Sequence, residues 1–106
     1  MEKTGLFIPQ EKKRRTMKIS EKMAIINKLG LHLRAAAELV KVANKFKSHV
    51  TIHHGVQNVN AKSLMGLMTL AAAKGTEMEF VADGDDAKEA MAALRQLLAD
   101  KFGEKE

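Results

Sequence analysis

Cysteine, tryptophan and tyrosine are absent from this chain, and proline occurs once, at Pro9. Without cysteine there is no disulfide framework and no thiol chemistry, so a reducing compartment suits it. No apolar run approaches the roughly 20 residues that a membrane-spanning helix needs. The first residues carry neither an apolar signal core nor a small-residue cleavage site. These absences make the cytoplasm the expected compartment and call for no membrane partner. The sequence also has no G-x-x-x-x-G-K-[ST] loop to cradle nucleotide phosphates. No Ser-His-Asp or paired-carboxylate arrangement stands out, which argues against an autonomous hydrolase or kinase. Nothing in it asks for a cofactor.

What is present fits one domain. The chain has 106 residues, 45% of them hydrophobic, enough for a single core. Its formal charge of +5 is unevenly placed. Residues 1–16 hold Lys3, Lys12, Lys13, Arg14 and Arg15 against Glu2 and Glu11, whereas the other 90 residues are nearly balanced. The run Lys12-Lys13-Arg14-Arg15 is read as a solvated tail rather than a nucleic-acid contact. Residues 1–16 are expected to be a flexible basic extension, or a start placed upstream of Met17. Residues 17–106 are expected to be the domain.

From Met17 onward the hydrophobic period changes in a regular way. Met23 and Ile25 alternate, so residues 18–27 read as a strand, which Lys28-Leu29-Gly30 breaks. From Leu33 to about Lys47, apolar Ala36, Leu39, Val40, Ala43 and Phe46 share one helical face. Val50–His54 alternates again, Gly55 supplies a turn, and Gln57–Ala61 runs back as a hairpin partner. Lys62–Ala73 is apolar and unbranched and predicts a helix that Lys74-Gly75 ends. Glu77–Val81 alternates charge with bulk, and Asp83-Gly84-Asp85 reads as a turn. Asp86 with Glu89 resembles a capping box. A helix bearing Ala87, Ala90, Met91, Leu94, Leu97, Leu98 and Phe102 follows, closed by Gly103. The order is strand, helix, strand, strand, helix, strand, helix. One apolar face per element implies a sheet with helices packed on one side.

Gly30-Leu31-His32-Leu33-Arg34 lies where a strand gives way to a helix. The first N–H groups of a helix lack internal partners and, with the helix dipole, favour an anion. A neutral imidazole nitrogen is a competent nucleophile toward phosphorus. A phosphoryl group on His32 would lie beside those N–H groups, and Arg34 could add a charge-assisted hydrogen bond. A single histidine before a helix is ordinarily a surface or capping residue, so the spacing by itself leaves both readings open.

The stretch from Ile26 to Ala37, which contains Gly30-Leu31-His32-Leu33-Arg34-Ala35-Ala36, resembles the active-site signature of HPr. HPr is the histidine phosphocarrier of the bacterial phosphoenolpyruvate-dependent phosphotransferase system. A second stretch, Asn60-Ala61-Lys62-Ser63-Leu64-Met65-Gly66-Leu67-Met68-Thr69-Leu70, is similar to that family's signature around a regulatory serine. The resemblance covers residues 18–102. It implies an α+β fold: an open-faced sandwich of four antiparallel strands with three helices on one face, in the order βαββαβα. It implies that His32 accepts a phosphoryl group, as a pros-phosphohistidine, from enzyme I and passes it to an enzyme IIA-type acceptor. Arg34 would contact the phosphoryl group. Leu64, Met65 and Met68 would dock the partners. Ser63 would be phosphorylated by a serine kinase and restored by a phosphorylase. The molecule would act as a monomeric covalent carrier, not an enzyme in its own right.

The family signature commonly has alanine after the histidine and proline after the arginine. Here Leu33 and Ala35 stand in those places. Alanine costs little in a first helical turn, whereas Leu33 adds bulk beside the site. These departures leave both a sugar-uptake and a nitrogen or regulatory branch open. Ser63 also suits a plain helix N-cap. Met65 and Met68, being flexible, suit a surface that meets several partners. Met23, Met78 and Met91 fall on core faces. His53 and His54 are neighbours in a strand and point to opposite sides; with His49 they are read as surface residues, with no metal site.

Overall fold

A computed structural model describes residues 17–106. The expected flexible extension, residues 1–16, lies outside the described residues. The elements are β1 (Met17–Ala24), α1 (Leu33–Ala43), β2 (His49–His54), β3 (Gln57–Asn60), α2 (Leu64–Met68), β4 (Glu77–Gly84) and α3 (Ala87–Ala99), followed by a 3-10 turn at Lys101–Gly103. The strands form one antiparallel sheet in the order β1-β4-β2-β3. This is the α+β open-faced sandwich that the sequence led us to expect.

Register sorts the side chains into two faces. Ile19 pairs with Ala82 and Met23 with Met78, while Ile52 faces Phe80 across β2 and β4 and Val59 across β2 and β3. These residues turn toward the helices, where they meet Leu39, Leu67, Met91 and Leu94 in one core. Each fully buried side chain of this kind contributes about 1.5–3 kcal/mol. The opposite face carries Lys18, Lys22, His49, His53, Glu79 and Asp83. Met78 and Met91 are buried as expected, whereas Met23 is half-buried against the core.

Several boundaries differ from the periodic reading. β1 stops at Ala24, although Ile25 continues toward Thr76 and Gly75 by single backbone bonds. Helix α1 ends at Ala43 rather than near Lys47, and its capping residue Asn44 sends its N–H back to Val40. The chain must turn there to reach β2, and the ammonium of Lys62 takes up the freed Phe46 carbonyl at 2.8 Å. Helix α2 spans only Leu64–Met68, not Lys62–Ala73. Ala71 has φ +48, a left-handed conformation that ends any helix. The backbone freed there is used elsewhere: the Ala72 carbonyl accepts from Leu31 N–H at 2.8 Å. β4 runs through Gly84, so the turn begins at Asp85, two residues later than expected.

Asp86 precedes α3 but makes no side-chain cap, contrary to the capping-box reading. Its carboxylate instead accepts from the backbone N–H groups of Lys47 and Ser48, both at 2.9 Å, and from the Ser48 hydroxyl at 2.5 Å. The Ser48 hydroxyl bond, followed by the two backbone bonds, lowers the Asp86 pKa from 3.8 to about 2. The carboxylate therefore clamps the α1–β2 connection to the start of α3.

Two outcomes follow from this packing. Gly30 has φ +71, and a Cβ there would stand 2.6 Å from the Ala72 carbonyl oxygen. Gly55 has φ +63 with open space around it. Gly30→Ala should cost about 3 kcal/mol in urea denaturation and Gly55→Ala about 1 kcal/mol; equal losses would contradict the contact. Because folding depresses the Asp86 pKa, its carboxylate stabilises the folded state above 3.8, and that contribution drains as the pH falls toward 2. Asp86→Asn should therefore flatten the decline in melting temperature across that window.

Candidate functional site

His32 is the N-cap of α1, with extended backbone at φ −78 and ψ 178, and its carbonyl accepts the Ala36 N–H at 2.8 Å. Its side chain makes no capping bond. The imidazole is thus not spent on capping, and the first-turn amides of α1 receive no side-chain cap from it. The left-handed turn at Gly30 and the Leu31–Ala72 bond fix the chain immediately before it. Leu31 is buried, so its side chain anchors the loop while its neighbour His32 stays about one-third exposed.

The ring does not stand alone. Its Nε2 bonds to the Oε2 of Glu104. The same oxygen accepts from Arg34 Nη2 at 2.8 Å, and the other carboxylate oxygen accepts from Asn27 Nδ2 at 2.8 Å. Asn27 is fully buried and also donates to the Gly30 carbonyl at 2.8 Å. Arg34 reaches the Phe102 carbonyl at 3.4 Å. Desolvation pushes the Glu104 carboxyl up, but hydrogen bonds from Asn27, His32 and Arg34 outweigh it and hold its pKa below the usual value. Glu104 is therefore a carboxylate, an acceptor only, so the hydrogen shared with His32 belongs to Nε2. Nδ1 has no hydrogen-bond partner among the described residues.

A cleft of about 320 Å³ opens over this cluster, lined by Lys28, Leu29, His32, Arg34, Glu104 and Lys105 among others. Lys28, Arg34 and Lys105 outnumber the lining carboxylates Glu104 and Glu106, which pair with Arg34 and Lys28, so the cleft keeps one net positive charge beside the imidazole, a balance that favours an anionic group. Apolar surface flanks it: Leu29 is 68% exposed and Leu33 59%. Helix α2 packs against α1 with Leu67 buried, leaving Leu64, Met65 and Met68 exposed. Ser63 is the N-cap of α2, and its hydroxyl accepts from Gly66 N–H at 3.0 Å. His49 is exposed, and His53 and His54 are half-buried on opposite faces of β2. Among the described residues there is no cluster of metal-ligating side chains, and no helix is long and apolar enough to cross a membrane.

The structure thus brings His32 and Arg34 to one carboxylate, and places Ser63, Leu64, Met65 and Met68 on a separate short helix. Asn27 and Glu104 were not singled out from the sequence as site residues. Glu104 lies 72 positions from His32, beyond any local pattern; the one hint was the helix stop at Gly103, after which the chain must reverse.

The chain is similar to known proteins in sequence and in fold. The family described as "PTS HPr component phosphorylation site" matches residues 19–100. The phosphocarrier protein HPr of Neisseria meningitidis serogroup A is 50% identical over 88 residues, covering 83% of this chain and 99% of that protein. A crystal structure of HPr from Thermoanaerobacter tengcongensis matches with a TM-score of 0.80 at 42% identity, covering 83% of this chain and 99% of its own. A structure of an HPr dimer from the same organism matches with a TM-score of 0.66 at 45% identity, covering 77% and 94%.

Proposed function

The chain belongs to the HPr family of phosphocarriers of the phosphotransferase system, and from that premise we propose that His32 Nδ1 is the atom that carries the phosphoryl group. The observation that carries this reading is the division of labour on the ring: Nε2 is held by Glu104, while Nδ1 has no partner among the described residues. The Nδ1 lone pair would attack phosphorus in a phosphohistidine of enzyme I. The new N–P bond forms as the donor's breaks, and the departing imidazole keeps the electron pair, so neither water nor a proton is consumed. Onward transfer to a histidine of an enzyme IIA-type acceptor is the same step reversed. Arg34 and the open amides of α1 would meet the phosphoryl oxygens.

The exposed side chains of Leu64, Met65 and Met68 supply the docking face in this reading, with Leu33 beside the site adding bulk at the contact. Ser63 is the regulatory position: its hydroxyl caps α2 next to that face, so a phosphate added there by a serine kinase would place charge against an apolar contact; a phosphorylase would restore the hydroxyl. His32, Arg34 and Glu104 come from one chain, which supports a carrier working as a monomer. Residues 17–106 form the carrier domain and 1–16 the extension.

The direct test is labelling from phosphoenolpyruvate through enzyme I. Wild-type chain should take up one acid-labile phosphoryl group, His32→Ala none, and Arg34→Ala should accept it about tenfold to a hundredfold more slowly. Persistent acid-labile labelling of His32→Ala would overturn the assignment.

A further inference from the structure

Three residues in succession after α3 take left-handed backbone conformations: Lys101 (φ 57), Phe102 (φ 56) and Gly103 (φ 82). Only the last is a glycine, so the turn holds two side chains where L-residues are rarely found. Phe102 is 2% exposed and pins the turn into the core. Its result is to reverse the chain and lay residues 104–106 across the start of α1. The Glu106 carbonyl accepts from Lys28 N–H at 2.6 Å, and the Glu104 side chain lies 12% exposed between Asn27, His32 and Arg34.

Asn27 indicates how tightly that carboxylate is specified. Both neighbours of its amide, the Gly30 carbonyl and Glu104, are acceptors, so the NH2 group must face them. Its Oδ1 is buried and has no partner among the described residues. A buried unpaired acceptor is costly, and here it accompanies the fixing of Glu104 beside the ring.

We infer that Glu104 is the positioning residue of phosphoryl transfer, acting through His32. The inference rests on the carrier reading above. Its carboxylate holds the hydrogen on Nε2 and directs the Nδ1 lone pair into the cleft. As the N–P bond forms, the ring gains positive character, and the carboxylate opposite stabilises it, as the buried aspartate does for the histidine of a serine-protease triad. Its negative charge would also repel an incoming phosphoryl group, and Arg34, bonded to the same oxygen, offsets that repulsion.

Glu104→Gln keeps the shape and an acceptor for Nε2–H but loses the charge and places an NH2 against the Asn27 amide, so kcat and the ring's own resonance, not stability, separate this role from a structural one. With phospho-enzyme I as donor, Glu104→Gln should lower kcat about tenfold, the difference between a charge-assisted and a neutral hydrogen bond. The melting temperature should fall somewhat, because the new NH2 meets the buried Asn27 amide; KM for enzyme I should stay at its wild-type value, and Glu104→Asp should recover part of kcat. In proton–nitrogen NMR, the His32 Nε2–H resonance should move upfield in Glu104→Gln. Equal kcat and an unmoved resonance, with the wild-type chain labelled normally, would overturn this inference alone. A wild-type chain that takes no label from phospho-enzyme I would overturn the carrier reading and this inference with it.

Discussion

Between β1 and α1 the chain passes so close to the loop after α2 that Gly30 leaves no room for a side chain. A Cβ at Gly30 would lie 2.6 Å from the Ala72 oxygen and 2.9 Å from the Ala73 Cα. The next residue uses that approach to make the Leu31–Ala72 backbone bond. This one contact decides where α1 begins, and hence where its open amides, His32 and Arg34 stand. It also explains why α2 is short. Residues 69–73 cannot remain helical and still present the Ala72 carbonyl to Leu31, and Ala71 takes a left-handed conformation in consequence.

The site concentrates costs that the rest of the fold avoids. Left-handed Ala71, Lys101 and Phe102, an Asn27 Oδ1 without a partner among the described residues and a carboxylate shared by His32 and Arg34 lie in the segments that build the site. The core beneath supports them. Ile25, Leu31, Ala35, Ala36 and Phe102, on the segments that bear these features, are buried in the same cluster as Phe80 and Leu94. Strain held at a functional site by a well-packed scaffold keeps reacting groups in place before the partner arrives.

Much of this was legible in the sequence. Two-residue and helical periods placed the seven main elements in order, because each buries a single face. His32 and Arg34 were legible as a strand-to-helix junction, and two motifs gave the family resemblance. Periodicity failed where tertiary contacts overrode it. The apolar run from Lys62 to Ala73 looks helical throughout, yet its second half serves Leu31. Asp86 has the spacing of a capping residue, yet Ser48, brought near by the sheet, captures its carboxylate. Glu104 carried no more signal than the stop at Gly103, because its role exists only after α3 has packed and the chain has doubled back.

Phosphoryl transfer depends on which nitrogen of His32 is free. The measurement that meets it most directly is nitrogen-15 and phosphorus-31 NMR of chain labelled in its imidazoles and phosphorylated by phospho-enzyme I. A single phosphoramidate is expected, coupled to His32 Nδ1, with Nε2 still bonded to Glu104. A phosphoryl group on Nε2, or on the Ser63 hydroxyl, would contradict it.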